Sequence, residues 1–146
     1  VDAQGRLWIG TMDNGLKDGR GSLYRVDPDG MMEALFDDVI VANGIAFDPG
    51  GRHMYFTDTR RHITYRLALD ASGKRVEGRE VFADYSATGD RPDGACVDAD
   101  GCLWQAFFGG GESILIPLKD RNRCSRPSSS APIPSRVWSW FICPPT

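Results

Sequence analysis

Apolar and polar residues alternate in short runs along most of this chain, and nearly every run stops at a turn containing Gly or Pro. Period-two alternation marks a β-strand with a covered face. The pattern predicts strands around Leu7, Trp8 and Ile9, then over residues 22–26, 31–36, 53–58, 62–67, 80–82 and 103–108. Residues 39–42 lead into a further motif at Asn43, and the Asp37-Asp38 pair is expected to end the strand before them. The clearest alternation, residues 62–67, puts Ile63, Tyr65 and Leu67 on one face. No segment sustains a helical period, so the expected class is all-β.

The turns repeat. Asp-x-x-Gly occurs at Asp2, Asp48 and Asp98, with periods of 46 and 50 residues, and each copy precedes an aromatic strand: Leu7-Trp8, Met54-Tyr55-Phe56 and Leu103-Trp104. Four short strands recurring at that period describe a β-propeller blade. The alternative is a β-sandwich, whose strands need not repeat their turn chemistry at a fixed interval. A longer match overlies the repeat. Asn43-Gly44 and Asp93-Gly94 each stand eight residues before the closing Gly of their copy, Gly51 and Gly101. Equivalent places in adjacent blades would let these two oxygen-bearing side chains converge.

Composition narrows the function classes. With 146 residues, a net charge of −3, 25% charged and 41% hydrophobic residues, the chain reads as an ordinary soluble domain. It lacks the basic footprint that nucleic acid or anionic membrane would require. The four cysteines form no C-x-x-C pair and lie near no His at zinc spacing. A disulfide framework is not expected, which makes a reducing, cytoplasmic compartment the default. From about residue 112 the character changes. Residues 119–146 hold five of the nine prolines and the Ser128-Ser129-Ser130 run, without a blade turn. The expected division is a partial propeller over 1–111 and a tail foreign to the pattern, open to disorder, over 112–146.

Asn43 offers an amide oxygen and Asp93 a carboxylate, hard donors suited to calcium or magnesium rather than to soft metals. The competing reading is that Asn-Gly and Asp-Gly simply cap hairpins. Asp48 and Asp98 sit where Asp bonds its own backbone and read as turn formers. Asp13, after Gly10-Thr11-Met12, is a candidate for approaching a substrate, against the blander expectation of a solvated loop carboxylate. His53 and His62 have no partner spacing, and Trp8 and Trp104 read as core aromatics. Gly109-Gly110-Gly111 lacks the Lys-Ser/Thr of a phosphate loop.

Gly10-Thr11-Met12, Gly21-Ser22-Leu23-Tyr24, Asn43-Gly44, Tyr55-Phe56-Thr57-Asp58, Arg91-Pro92-Asp93-Gly94 and Leu103-Trp104 followed by the three glycines come in a distinctive order. In this the chain resembles the SMP-30/gluconolactonase/LRE (regucalcin-like) family from Val1 to about Gly111. The resemblance implies part of a six-bladed propeller and an internal fragment of more than two blades. It also implies hydrolysis of small-molecule sugar lactones at one divalent metal: calcium, with magnesium, manganese or zinc as substitutes. By the same resemblance Asn43 and Asp93 are metal ligands, and Asp93 is also the general base. A Glu ligand and the Arg and Asn that contact the lactone would lie before Val1, so the fragment itself is expected to have little activity. A shifted reading frame would account for the tail. The alternative class is a propeller that binds without catalysing.

Overall fold

The computed structural model describes residues 1–109 and the backbone course of 113–116. Among the described residues ten antiparallel strands make three sheets. The first contains β1 (Leu7–Gly10), β2 (Gly21–Val26) and β3 (Met32–Val39). The second is a complete four-stranded blade of β4 (Ala42–Phe47), β5 (His53–Asp58), β6 (Ile63–Leu69) and β7 (Val76–Asp84), hydrogen-bonded in that order. The third contains β8 (Pro92–Val97), β9 (Leu103–Phe107) and β10 (Ser113–Ile116). Among the described residues no helix is long and apolar enough to cross a membrane.

The repeated turns align the sheets. Asp48 closes the β4–β5 hairpin and Asp98 the β8–β9 hairpin, while Asp2 stands just before β1. Each Asp carbonyl accepts the amide of the closing glycine, Gly5 at 3.0 Å, Gly51 at 2.9 Å and Gly101 at 3.0 Å. All three glycines have positive φ, between 64° and 82°, a region that L side chains avoid. The Asp side chains do more than form turns. Asp2 Oδ2 accepts the Trp8 indole N–H at 2.9 Å, and Asp98 Oδ2 accepts that of Trp104 at 2.8 Å. In the first and third sheets the turn is thereby fastened to its own strand, and β1, β5 and β9 occupy equivalent positions.

The sheets pack face to face through two interfaces. Between the first and second lie Trp8, Leu23, Val39, Met54, Phe56, Leu67 and Leu69, all buried. Between the second and third lie Ala46, Tyr55 and Leu103, with Phe82, Ala95 and Val97 against them. Met54 and Phe56 enter the first cluster and Tyr55 the second, so alternate residues of β5 serve opposite neighbours. Tyr65 and Leu67 share the face expected of them.

Some expectations differ from the structure. The Asp37-Asp38 pair does not end β3. The strand continues to Val39 through bulges opposite β2, with Asp38 at φ 63°. An extra residue is absorbed by a kink and need not stop the pairing. The outer strand β7 runs over nine residues, far longer than residues 80–82. An outermost strand covers little core, so its alternation is weak and understates its length. Cys102, buried beside β9, is disulfide-bonded, against the expectation of no bridge. Apart from β10, the tail reading over 112–146 lies outside the described residues.

Candidate functional site

Asn43 and Asp93 sit near the starts of β4 and β8, each the first strand in chain order of its sheet's antiparallel meander. Both strands are bulged beside the candidate ligand, β4 just after Asn43 and β8 at Asp93 itself. On β4 the register runs Asn43↔Thr57 and then Ala46↔Tyr55, and on β8 it runs Pro92↔Phe107 and then Ala95↔Gln105. Two residues on the bulged strand thus face one on its neighbour, 44–45 against Phe56 and 93–94 against Ala106. A bulge twists its strand locally and re-aims a side chain. The two re-aimed side chains meet: Asn43 Nδ2 donates a short hydrogen bond to Asp93 Oδ1.

Gly44 makes this approach possible. It has φ +54°, and a Cβ there would come within 2.5 Å of Thr57 Oγ1 and 2.9 Å of the Asp93 carbonyl oxygen. Only glycine fits without displacing the Asp93 backbone. Thr59 sits beside the pair. Its hydroxyl donates to the Pro92 carbonyl at 2.7 Å, and its oxygen lies 3.4 Å from Asn43 Nδ2.

Asp13 lies at the same end of the sheets, tied there by its amide donating to the Ile40 carbonyl at 3.0 Å. Its carboxylate turns back into its own loop and accepts the amides of Lys17 at 3.1 Å and Asp18 at 3.2 Å. The Lys17 and then the Asp18 amide hold its carboxyl below the usual carboxylate range. The residue is buried, not solvated, because closing the loop satisfies amides that would otherwise face no partner. Neither histidine joins the site. The His53 amide donates to Asp48 Oδ1, and His62 Nδ1 lies 2.7 Å from the Asp90 carbonyl oxygen.

The donors fit two ligands of a hard divalent cation, one amide and one carboxylate. As placed, Asn43 turns its nitrogen toward Asp93, while its oxygen accepts the Gly44 amide at 3.2 Å. A cation would take the oxygen, which a half-turn of the amide supplies. Among the described residues no group of three or more His, Cys, Asp or Glu side chains stands ready to hold a metal.

The model of the SMP-30/gluconolactonase/LRE-like region matches residues 1–128. The chain belongs to this family. Among curated relatives, a 6-deoxy-6-sulfogluconolactonase of Pseudomonas putida is 39% identical over 117 residues, covering 80% of this chain and 40% of the relative. A pentonolactonase of Haloferax volcanii is 36% identical over 111 residues, covering 76% of this chain and 38% of the relative. The crystal structure of a calcium-binding regucalcin from Agrobacterium tumefaciens superposes with TM-score 0.71 at 38% identity, over 77% of this chain and 38% of that one. The family member described here therefore spans about 40% of the length of such relatives and forms part of a β-propeller.

Sequence reasoning found the two ligand candidates but missed what surrounds them. Gln105, Thr57 and Thr64 are fully buried polar residues below the site. Gln105 was visible as a lone amide in the apolar strand Leu103–Phe107. The Asp–Trp ties were visible as a spacing of six residues, shared by Asp2 and Trp8 and by Asp98 and Trp104.

Proposed function

We propose that this chain carries two ligands of a divalent-metal-dependent sugar-lactone hydrolase. The observation that supports this most directly is the meeting of Asn43 and Asp93 beside bulges on adjacent sheets. The lactonases among its relatives point the same way, and a calcium-binding regucalcin shares its course. A hard cation is the matching cofactor, with calcium first and magnesium, manganese or zinc as substitutes.

When bound, the metal supplies polarisation of the lactone carbonyl and stabilises charge developing on its oxygen. The chain's own residues do the rest. Asn43 orients the reacting group through its amide oxygen. Asp93 accepts a proton from the attacking water, whose oxygen bonds the carbonyl carbon as the ring C–O bond breaks. The proton taken up by Asp93 passes to the departing ring oxygen, which leaves as a hydroxyl and gives the open hydroxy acid. Two protein donors are fewer than calcium's usual six to eight oxygens, so the remaining positions fall to water, substrate and groups beyond the described residues.

Calorimetric titration of the chain with Ca²⁺ and Mn²⁺, with Asp93→Ala alongside, tests the reading. Binding that disappears in the variant is the expected result, and lactone hydrolysis is then assayed with the loaded protein. Equal binding by both proteins would remove Asp93 from the site. No heat in either would favour the second reading, in which two ligands alone do not make a centre.

A further inference from the structure

The bulge that aims Asp93 also disturbs its own strand. The pairing steps from Pro92↔Phe107 to Ala95↔Gln105, so Asp93 and Gly94 share a single opposite residue on β9, Ala106, and cannot both complete the ladder. Their carbonyls would be left wanting, and a buried unsatisfied carbonyl is costly. One side chain takes both. Gln105 Nε2 donates to the Asp93 carbonyl at 2.9 Å and to the Gly94 carbonyl at 3.1 Å. The other end of the amide, Oε1, accepts from the hydroxyls of Thr64 at 3.0 Å and Thr57 at 3.4 Å. The two hydroxyls are themselves 3.0 Å apart. Gln105, Thr57 and Thr64 are all 0% exposed.

This network spans two sheets. Gln105 belongs to β9, whereas Thr57 and Thr64 belong to β5 and β6. Thr57 is also the register partner of Asn43 and bounds the space at Gly44. One amide therefore links the bulge presenting Asp93 to the strand opposite the bulge presenting Asn43. Its polarity is dictated by its partners, two carbonyls needing donors and two hydroxyls able to donate. A carboxylate or an apolar side chain of the same length cannot satisfy both ends.

We propose that Gln105 is a positioning residue for Asp93, setting the distance between the two ligand side chains through the backbone of the bulge. The expected effect on metal affinity rests on the function proposed above, whereas the positioning itself does not. Outer partners of metal ligands typically change affinity by about ten- to a hundredfold. A structural filler of the same volume would affect folding alone.

The test uses the full chain and two readouts. The first is calorimetric affinity for Mn²⁺ and Ca²⁺ in Gln105→Met, with Leu69→Ala as a control that weakens the opposite interface. Gln105→Met is expected to lose about tenfold or more in affinity, while Leu69→Ala, measured where it is folded, keeps the original value. Thr64→Val, a milder variant that removes one partner of Oε1, is expected to lose less in the same direction, with Thr64→Ser restoring it. The second readout needs no metal. It is the side-chain amide resonance of Asn43, which donates to Asp93 and is assigned by its absence in Asn43→Asp. It should shift in Gln105→Met and Thr64→Val and stay in place in Leu69→Ala. Unchanged affinity with an unmoved resonance in both variants overturns the proposal. If the unsubstituted chain binds neither metal, the metal reading fails and the resonance alone decides the positioning role.

Discussion

The two interfaces on either side of the central sheet are built from different chemistry. The one toward the first sheet is a continuous apolar layer, with Phe56 packed edge-on against Phe36 at 5.3 Å and Trp8 against Phe47 at 5.6 Å. Charged groups stand at its margins, including Arg79, whose guanidinium lies over the Phe36 and Tyr65 rings at 5.2 Å. At one end Arg6 and Arg25 reach the carbonyls of Ser72 and Lys74, and at the other Asp58 accepts the amides of Ile40 and Val41. The interface toward the third sheet has a small apolar base of Ala46, Tyr55 and Leu103. Above that base it turns polar, through Thr57, Thr64 and Gln105, just where Asn43 and Asp93 meet. The first interface binds sheets together. The second binds them in one particular register, which hydrogen bonds fix and apolar contact does not, because burial energy is nearly indifferent to direction.

The sharpest way to break the comparison is to remove the apolar side. Phe56 is 1% exposed and touches both Phe36 and Tyr65. Phe56→Ala should cost about 3–5 kcal/mol, read by denaturant unfolding. The variant, where still folded, should keep the Asn43–Asp93 contact, because Phe56 faces away from the third sheet. A loss of that contact at unchanged stability would show that the two interfaces are not separable.

A smaller effect comes from crowding the polar side. Gly44→Ala forces a Cβ against Thr57 and the Asp93 carbonyl at a positive φ. The expected destabilisation is about 1–3 kcal/mol, with metal affinity falling together with it. Here stability and binding should move jointly, unlike in Phe56→Ala. An affinity that survives the substitution would mean that the bulge on β4 does not set the ligand position.

This difference also explains what could be read from the chain. The apolar interface and the repeat were legible, since turn glycines, aromatic strands and alternating positions recur at a visible period. Asn43 and Asp93 were legible through their shared distance from Gly51 and Gly101. Their support was not. A Thr in a strand looks the same whether it faces water or an amide, and nothing beside Thr57 or Thr64 in the chain marks which. Asp13 misled for the same reason: a loop carboxylate appears solvated until the amides of Lys17 and Asp18 are seen to close on it. Hydrogen bonds between residues far apart in sequence, such as Thr64 to Gln105, leave no local pattern.

The smallest effect separates the interfaces by acidity. Asp2 accepts from the Trp8 indole and from the amide and guanidinium of Arg6, and Arg6 in turn reaches Ser72 on the second sheet. Burial pushes the Asp2 carboxyl up, but the Trp8 and Arg6 hydrogen bonds outweigh it and hold the group below its ordinary value of 3.8. A depressed folded value means that the unfolded chain takes up the proton first. The stabilisation is therefore fully present above about pH 4 and is lost as pH falls through the folded value. Asp2→Asn should melt below the unsubstituted chain near neutral pH, and the gap should close on acidification, as thermal melts at stepped pH would record. Gln105→Met should show no such closing, because neither its amide nor its hydroxyl partners titrate in that range. A gap that widened with acid in Asp2→Asn would contradict the assignment. Parallel pH profiles for the two variants would mean that the ends of the apolar interface are not held by an ionised carboxylate at all.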